Sequence, residues 1–179
     1  MRLRWVFLLC MMLLPSGLIA QSDEAAIKKE IRAGYDKHVL AFKAKDVKTL
    51  VALTTPDWKV TDANGASANR AQWETTLIAQ MPRIKKIREY SVSLDKVTFI
   101  NGKVTAFTTT HFVGTNSDPT GKTHDVVEKA KARDNWVKTS AGWRIQHSDA
   151  LSFEVIVDGK PINPYAGTKP TKPASGPSK

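Results

Sequence analysis

The spacing of large apolar side chains changes near the middle of the chain, from a helical to a strand-like period. Between Ser22 and Lys45 large side chains recur every three or four residues, which places them on one face of a helix. The residues on that face are Ile27, Ile31, Tyr35, His38 and Phe42. From Arg88 onward apolar and polar positions alternate, which is typical of strands with one buried face. The pattern therefore predicts helices first and a sheet afterwards.

Shorter signals predict two further helices and a first strand in the amino-terminal half. Asp46 is expected to cap a second helix, which Pro56 ends because proline cannot continue the helical hydrogen-bond ladder. Residues 57–62 alternate as a short strand. Asn69 followed by Gln72 has the spacing of a capping box, which predicts the start of a third helix.

The second half of the chain predicts an antiparallel meander, whose first turn is Asn101-Gly102, a strong hairpin signal. The expected strands cover residues 88–100, 103–115, 123–138 and 143–157. Because helices and strands are segregated along the chain, the predicted fold class is α+β, with the N-terminal helices packed on a curved antiparallel sheet. Such an arrangement leaves a concave pocket between helices and sheet.

The first 20 residues have the pattern of a secretory signal peptide. Arg2 and Arg4 form a basic start, residues 5–14 are an unbroken apolar run, and Ala20 is a small residue at the expected cleavage point. The apolar run is shorter than the ~20 residues that span a bilayer. We therefore expect cleavage, no integral membrane association afterwards, and a secreted or periplasmic protein. An uncleaved anchor is the alternative.

The far end of the chain has the composition of a disordered tail. In residues 166–179 proline alternates with Lys, Thr, Ser and Gly, without a large apolar side chain. Such a segment cannot bury enough surface to offset the entropy lost on ordering. The sequence therefore predicts one domain over residues 21–165, followed by a basic, Pro-rich tail.

Charge and cysteine content exclude several classes of function. The chain has 27 Lys and Arg against 17 Asp and Glu, a formal net charge of +10, which becomes +8 without Arg2 and Arg4. A basic protein attracts anionic partners, but no nucleic-acid-reading motif is present, and predicted export argues against nucleic acid. Cys10, the single cysteine, lies in the predicted signal segment. Disulfide and thiol chemistry are therefore excluded for the mature domain.

The sequence predicts neither a metal site nor a cofactor. The four histidines are scattered, without the H-x-H or H-E-x-x-H spacing of metal ligands. They are His38, His111, His124 and His147. Glycine-rich phosphate loops and the G-x-S-x-G nucleophile signature are absent as well. A site of histidines and carboxylates assembled in space is the alternative.

Two segments resemble the NTF2-like superfamily. Residues 46–65, DVKTLVALTTPDWKVTDANG, resemble its short helix, aspartate-aromatic pair and acid-x-x-Gly turn, and residues 133–149, RDNWVKTSAGWRIQHSD, resemble its closing strands. The resemblance extends over about residues 23–156 and is strongest to the secreted group with a SnoaL-like or DUF4440-type domain. It implies a cone-shaped α+β barrel with a pocket at its open end, and a homodimer. Members of the superfamily include isomerases, dehydratases and cyclases.

The last predicted strand carries the candidate catalytic residues. Alternation puts Trp143, Ile145, His147 and Asp149 on one face. Because Trp143 and Ile145 are large and apolar, we expect this face to be concave, with His147 and Asp149 inside the pocket or at its mouth. Either residue then suits a general base that removes a proton beside a carbonyl group. The alternative is a polar pair satisfied by hydrogen bonds at the rim.

Further side chains are expected to line the pocket. They are Tyr35, Trp58, His111, Arg133 and Trp143. Since adjacent strand residues face opposite sides, only one of Arg133 and Asp134 can enter the pocket. Arg133 inside suits an anionic ligand, whereas Asp134 inside is a second candidate acid. A surface ion pair for Arg133, and core packing for the aromatic residues, are the competing interpretations.

Three hypotheses for function follow from these patterns. The first is a small-molecule-binding domain of uncharacterised role, dimeric through its sheet. The second is a cofactor-free isomerase or lyase of the ketosteroid-isomerase type, with Asp149 or His147 as the base. The third is a structural or partner-binding module whose cavity is filled by side chains. An open cavity beside a buried titratable group distinguishes the first two hypotheses from the third.

Overall fold

The computed structural model describes residues 17–100 and 103–163, and the side chains of this part from residue 23 onward. The helices are α1 Gly17–Lys43, α2 Val47–Ala52 and α3 Arg70–Gln80, and Met81–Arg83 forms a 3-10 turn. The strands are β1 Thr54–Thr61, β2 Ser67–Asn69, β3 Ile84–Ile100, β4 Lys103–Ser117, β5 Thr123–Thr139, β6 Gly142–Val157 and β7 Lys160–Ile162. This order confirms the predicted α+β class.

The described strands form one sheet in the order β2-β1-β6-β5-β4-β3, and β7 pairs with β6. Strands β3 to β6 form the predicted antiparallel meander. β1 instead pairs in parallel with β6, so that Thr54 lies opposite Ile145 and Thr61 opposite Asp149. The expectation of an antiparallel sheet is therefore wrong at this position, because a parallel neighbour arrives by a long crossover rather than a hairpin. The sheet is curved and mixed.

Side-chain caps fix where the two short helices begin. Asp46 Oδ1 accepts a hydrogen bond from the Thr49 amide at 3.0 Å, at the start of α2. At the start of α3, Asn69 Oδ1 accepts from the Gln72 amide at 3.0 Å and Gln72 Oε1 accepts from the Asn69 amide at 2.9 Å. These bonds satisfy amides that have no partner inside the helix. Both predicted caps are confirmed.

Several predictions fall on residues that the structure does not describe. They are the Asn101-Gly102 turn, residues 1–16 of the predicted signal segment, and the predicted tail at residues 166–179. In the described part, α1 already begins at Gly17, before the predicted start at Ser22. No helix within residues 17–100 and 103–163 is long and apolar enough to cross a membrane.

Two irregularities in the pairing of β5 with β6 set which side chains of β6 face the helices. Trp136 lies opposite Ile145, whereas its neighbour Asn135 lies opposite His147. β6 therefore contains one extra residue here, Gln146, which is a β-bulge. A second shift lies between Lys131 and Ala132. Each bulge reverses the alternation of inward and outward side chains beyond it.

The core lies between α1 and the concave face of the sheet, in two adjoining clusters. One is centred on Phe112 and Tyr90, with Phe42 of α1 stacked on Tyr90 at a ring separation of 3.8 Å. The other is centred on Trp136, which is 1% exposed, together with Tyr35. We call the side of the sheet turned away from α1 the outer face.

Candidate functional site

A cavity of about 120 Å³ lies between α1, the α2–β1 connection, α3 and the concave face of the sheet. Its wall is mostly apolar and aromatic, with Trp58, Trp73, Val92, Leu53 and Ile145 among the lining residues. Polar side chains enter it from five elements: Tyr35 and His38 from α1, Thr54 from β1, Thr108 and Thr110 from β4, Asp134 from β5 and Ser148 from β6. A mainly apolar wall with few polar groups is the usual composition of a small-molecule site.

Asp134 is the centre of a hydrogen-bond chain across this wall. The Tyr35 hydroxyl donates to Asp134 Oδ2 at 2.7 Å, and Trp136 Nε1 donates to the Tyr35 oxygen at 3.1 Å. On the other side Asp134 is hydrogen-bonded to the Ser148 side chain. Trp58 Nε1 in turn donates to Ser148 Oγ at 3.3 Å. The carboxyl group is therefore held in one orientation at the edge of the cavity.

Local structure explains why these side chains meet. Tyr35 lies four residues after Ile31 on α1, so both point at the sheet. Asp134 and Trp136 are two residues apart on β5 and share its inner face. Ser148 faces Asp134 directly in the ladder between β5 and β6. The bulge at Gln146 is what turns Ser148 inward.

Burial determines the chemistry of Asp134. The residue is 6% exposed, and no salt bridge among the described residues involves it. Burial raises the pKa of Asp134, against the hydrogen bonds from Ser148 and Tyr35, which lower it. Burial and the neighbouring Asp134 also raise the pKa of Tyr35. The site therefore favours the neutral carboxyl, which is a hydrogen-bond donor as well as an acceptor.

His38 is the second titratable group in the cavity wall. Burial lowers its pKa to about 4, so the imidazole is neutral at neutral pH. His38 Nδ1 lies 3.4 Å from the Tyr90 hydroxyl. Nε2 makes no hydrogen bond within the described part of the chain. The ring therefore retains one nitrogen to exchange a proton or a hydrogen bond with a molecule in the cavity.

His147 and Asp149 lie on the outer face, outside the cavity. Asp149 Oδ1 is 2.9 Å from His147 Nε2, and Asp149 Oδ2 accepts from Arg133 Nη2 at 2.7 Å and Nε at 3.0 Å. Partial burial raises the pKa of Asp149, but the bonds from Arg133 and His147 outweigh it and lower the pKa overall. The expectation that His147 and Asp149 share a face with Ile145 is wrong. The bulge at Gln146 reverses the alternation between them.

The other predicted lining residues divide between the two faces of the sheet. Tyr35 and Trp58 line the cavity. Trp143 packs at the edge of the Trp136 cluster, with Lys138 Nζ 5.4 Å from its ring centre. His111 lies on the outer face, 3.7 Å from Glu89 Oε2. Arg133 also lies on the outer face. Asp134, and not Arg133, is therefore the member of this pair that enters the cavity.

Sequence reasoning misses the roles of His38 and Ser148 in the cavity wall. The helical period assigns His38 only to the buried face of α1, which does not distinguish a packing residue from a pocket residue. Alternation assigns Ser148 to the opposite face, because the bulge leaves no mark in the pattern of β6. Trp136 lies two residues after Asp134 on the same strand. This spacing is the sequence signal that could have predicted an inward-facing Asp134.

No group of three or more His, Cys, Asp or Glu residues within the described ranges is arranged to hold a metal ion. His124 has the most acidic surroundings of the histidines. Its Nδ1 lies 2.7 Å from Asp158 Oδ2 and its Nε2 lies 3.3 Å from Asp118 Oδ2. Both ring nitrogens are therefore already engaged in a tie between the β4–β5 loop and the β6–β7 turn.

An N-terminal helix laid across the concave face of a curved mixed sheet, with a cavity between them, is the architecture of the NTF2-like superfamily. Comparison with protein families gives the finer assignment. The family of the SnoaL-like domain matches residues 23–149. The chain belongs to this family, and the resemblance found in the sequence is confirmed.

Solved structures share the fold at low sequence identity. The structure of LinA is 12% identical with a TM-score of 0.63, and the match covers 87% of this chain and 99% of that one. A conserved protein from Planctomyces limnophilus is 16% identical with a TM-score of 0.60, over 74% and 98%. A ketosteroid isomerase-like protein from Erwinia carotovora atroseptica is 14% identical with a TM-score of 0.52, over 69% and 95%. No curated protein matches the chain.

Proposed function

We propose that the protein binds a small, mainly apolar molecule in the cavity and holds an oxygen atom of that molecule at the Asp134 carboxyl. The observation that carries this proposal is a buried acid, without a cationic partner among the described residues, in the wall of an aromatic cavity. A buried donor that finds a strong acceptor is stabilised, because water cannot reach it. Tyr35 is a positioning residue, since its hydroxyl fixes the carboxyl at 2.7 Å.

The size of the cavity supports a ligand of about one ring. Its volume is about 120 Å³, and an engineered protein cavity of ~150 Å³ holds benzene. Trp58 and Trp73, with ring centres 4.8 Å apart, supply a flat apolar wall. Phenols and small cyclic enones combine a ring of this size with one oxygen acceptor, and they are the ligand class we propose.

Binding of substituted phenols tests the proposal. Tryptophan fluorescence reports on the cavity, because Trp58 and Trp73 line it. We expect saturable quenching, and about a fivefold weaker affinity for Asp134→Leu, since a hydrogen bond between neutral groups contributes ~0.5–1.5 kcal/mol. Asp95→Leu is the matched control, because Asp95 is exposed and its Oδ2 accepts only from Thr109 in the described structure, at 2.6 Å. Equal affinities for the two variants would contradict the proposal.

A second candidate function is proton transfer, as in a cofactor-free isomerase or lyase. Among the titratable groups of the cavity wall, His38 and Asp134 have pKa values that move in opposite directions. That of His38 is lowered to about 4, and that of Asp134 is raised. Such a division is the usual mark of a base and an acid in one site. His38 is then the base and Asp134 donates to the carbonyl oxygen, in place of Asp149 or His147. One of the structural neighbours is a ketosteroid isomerase-like protein, which supports this class of chemistry.

Exchange of deuterium into the α′-position (C6) of 2-cyclohexen-1-one, followed by proton NMR in deuterated buffer, tests this second function. General base catalysis contributes about 10²–10⁴-fold, so His38→Phe should reduce the enzyme-dependent rate by at least about 100-fold. His111→Phe is the control, because His111 lies on the outer face. An exchange rate equal to that of buffer alone leaves binding as the function.

We also propose that the protein is exported. The support is the basic start and short apolar run of residues 1–14. Expression of the full chain in a Gram-negative host, with intact-mass analysis of the periplasmic fraction, tests this. A mature chain beginning at Gln21 is the expected result. Full-length protein retained in the cytoplasm or membrane would contradict it.

A further inference from the structure

A second, larger cavity lies at the opposite end of the core. Its volume is about 500 Å³, and none of its lining residues belongs to the first cavity. Helix α3 and the 3-10 turn cover it with Leu77 and Met81. The rest of the wall comes from the end of α1, the start of β3, the end of β4, the start of β5, the end of β6 and β7. It includes the aromatic rings Phe42, Phe112 and Phe153.

Two acceptor groups in the wall of this cavity have no donor among the described residues. Glu128 faces inward on β5, between Phe112 of β4 and Val155 of β6 in the ladder. Its carboxyl makes no hydrogen bond or ion pair within residues 23–100 and 103–163. Asn116 Oδ1 is buried and also has no hydrogen-bond partner there. Asn116 Oδ1 is a buried acceptor and Glu128 is a half-buried carboxyl, so a cavity wall that leaves both without a donor is suited to a donor-bearing ligand.

We propose that this second cavity binds an organic ammonium ion, a protonated amine with an apolar body. The ammonium group is the ligand end that satisfies Glu128 and Asn116 together, because it has a positive charge and up to three N–H donors. The phenylalanine rings suit both parts of such a ligand. Their edges and faces pack against the apolar body, and a ring face attracts a cation within about 6 Å.

The charges around the cavity favour a cation over an anion. Burial raises the pKa of Glu128, and no described cation pairs with it, so a bound ammonium ion would supply the positive charge that favours the carboxylate. Arg83 also lines the cavity, but it is exposed, and the ion pairs among the described residues do not include one between Arg83 and Glu128. The net charge of +10 repels cations over long distances. Salt at 0.1 M screens that repulsion beyond ~10 Å. The electrostatic attraction of a ligand inside the cavity is therefore determined by the nearby Glu128 carboxyl.

Calorimetric binding of three probes of similar size tests the proposal. The probes are 2-phenylethylammonium, 3-phenylpropan-1-ol and 3-phenylpropanoate. We expect the ammonium ion to bind at least about tenfold more tightly than the alcohol, and the carboxylate to bind least. Glu128→Gln should reduce the ammonium affinity to that of the alcohol. Glu154→Gln is the matched control, since it removes the same charge from an exposed position on β6, beside Val155.

Backbone NMR of the wild-type protein supplies a readout that does not depend on a variant. We expect 2-phenylethylammonium to shift the amides around Asn116 and Glu128 and to leave those around Tyr35 unchanged. Asn116→Leu, which keeps the volume and removes the acceptor, should weaken binding about three- to tenfold.

Three outcomes would overturn the proposal. Equal affinity for the three probes would mean that the charge of the ligand does not contribute to binding. Tighter binding of the carboxylate would mean that Arg83, and not Glu128, sets the charge preference of the cavity. Equal losses in the Glu128 and Glu154 variants would mean nonspecific attraction. The proposal is independent of the function proposed for the first cavity, because the two cavities share no lining residue.

Discussion

Asp134 and Asp149 lie on neighbouring strands but behave as different chemical groups. Asp134 faces the cavity, and burial raises its pKa. Asp149 faces outward, and the pKa-raising effect of its partial burial is outweighed by Arg133 and His147, so its pKa is lowered. Which aspartate faces inward therefore decides which carboxyl has the raised pKa and the greater tendency to keep its proton. The sequence narrowed the choice at β5 to Arg133 or Asp134, but it could not decide between them.

The raised pKa of Asp134 predicts a specific pH dependence of stability. The folded state binds the proton more tightly than the unfolded state. The contribution of the Asp134 carboxyl to the free energy of unfolding is therefore fully present below the unfolded pKa of about 3.8, and it is lost as pH rises through the folded pKa. The variant Asp134→Asn does not lose stability in this way, because an asparagine side chain does not release a proton. Urea unfolding at a series of pH values should show the variant gaining stability over wild type as pH rises from 4 to 8.

The exposed Asp95 provides the control for this experiment. Asp95→Asn makes the same substitution at a carboxyl that faces solvent on β3. This variant reports how the same substitution changes the free energy of unfolding at an exposed position. Parallel stability curves for wild type and Asp134→Asn would show that burial does not perturb Asp134.

Gly34 sets how closely α1 approaches the sheet. A Cβ at this position would lie 2.7 Å from Trp136 Cη2, and Trp136 is 1% exposed and cannot move aside. Gly34→Ala should therefore destabilise the protein by about 1–3 kcal/mol, although alanine favours a helix by ~1 kcal/mol over glycine. Ala33→Gly, at the exposed neighbouring position, should cost only the helical preference. Chemical denaturation measures both, and a stabilised Gly34→Ala would contradict this packing.

At the scale of the element, the bulge in β6 explains most of what sequence reasoning got wrong. The alternation of Trp143 and Ile145 correctly identifies an inner face, since Ile145 is buried. Between Gln146 and the second irregularity at Leu151 the same alternation assigns the residues to the wrong side, and beyond it the assignment is correct again. A bulge adds one residue without a compositional signal, so it becomes visible only when the partner strand is known. The helix caps, by contrast, depend on residues three positions apart and were predictable.

The tie between the β4–β5 loop and the β6–β7 turn predicts a second pH effect. Hydrogen bonds to Asp158 and Asp118 raise the pKa of His124. The stabilising contribution is therefore complete below the unfolded pKa of about 6.5 and is lost as pH rises through the folded value. Thermal unfolding of His124→Gln should show a deficit against wild type that is largest at acidic pH and shrinks above neutrality. A deficit independent of pH would contradict the charged tie.

At the scale of the whole molecule, the order of periods along the chain was enough to predict the α+β class, and the resemblance of residues 46–65 and 133–149 implied the NTF2-like architecture. The parallel pairing of β1 with β6 was not predictable in this way. It joins Thr54 to Ile145, far apart in sequence, and depends on how the helices cross the sheet. The positions of the two cavities depend on the same three-dimensional packing. Residue patterns alone therefore predict the fold but not the site.

The outer face of the sheet supports a homodimer as a prediction for the whole molecule. Val113, Val127 and Ile156 lie side by side across β4, β5 and β6 on this face. Light scattering after size-exclusion chromatography should give the mass of a dimer, and Ile156→Glu should shift it toward the monomer. Leu40→Glu, at a 69% exposed position on α1, should leave the mass unchanged. A monomeric wild-type protein would contradict the prediction.

The central claim is that the first cavity recognises an oxygen atom through Asp134. A crystal structure with a substituted phenol bound tests it most directly. We expect the ring between Trp58 and the sheet, with the phenol oxygen at a hydrogen-bond distance of about 2.5–3.0 Å from the Asp134 carboxyl. A phenol bound elsewhere, or an Asp134 side chain turned away from the ligand, would contradict this claim.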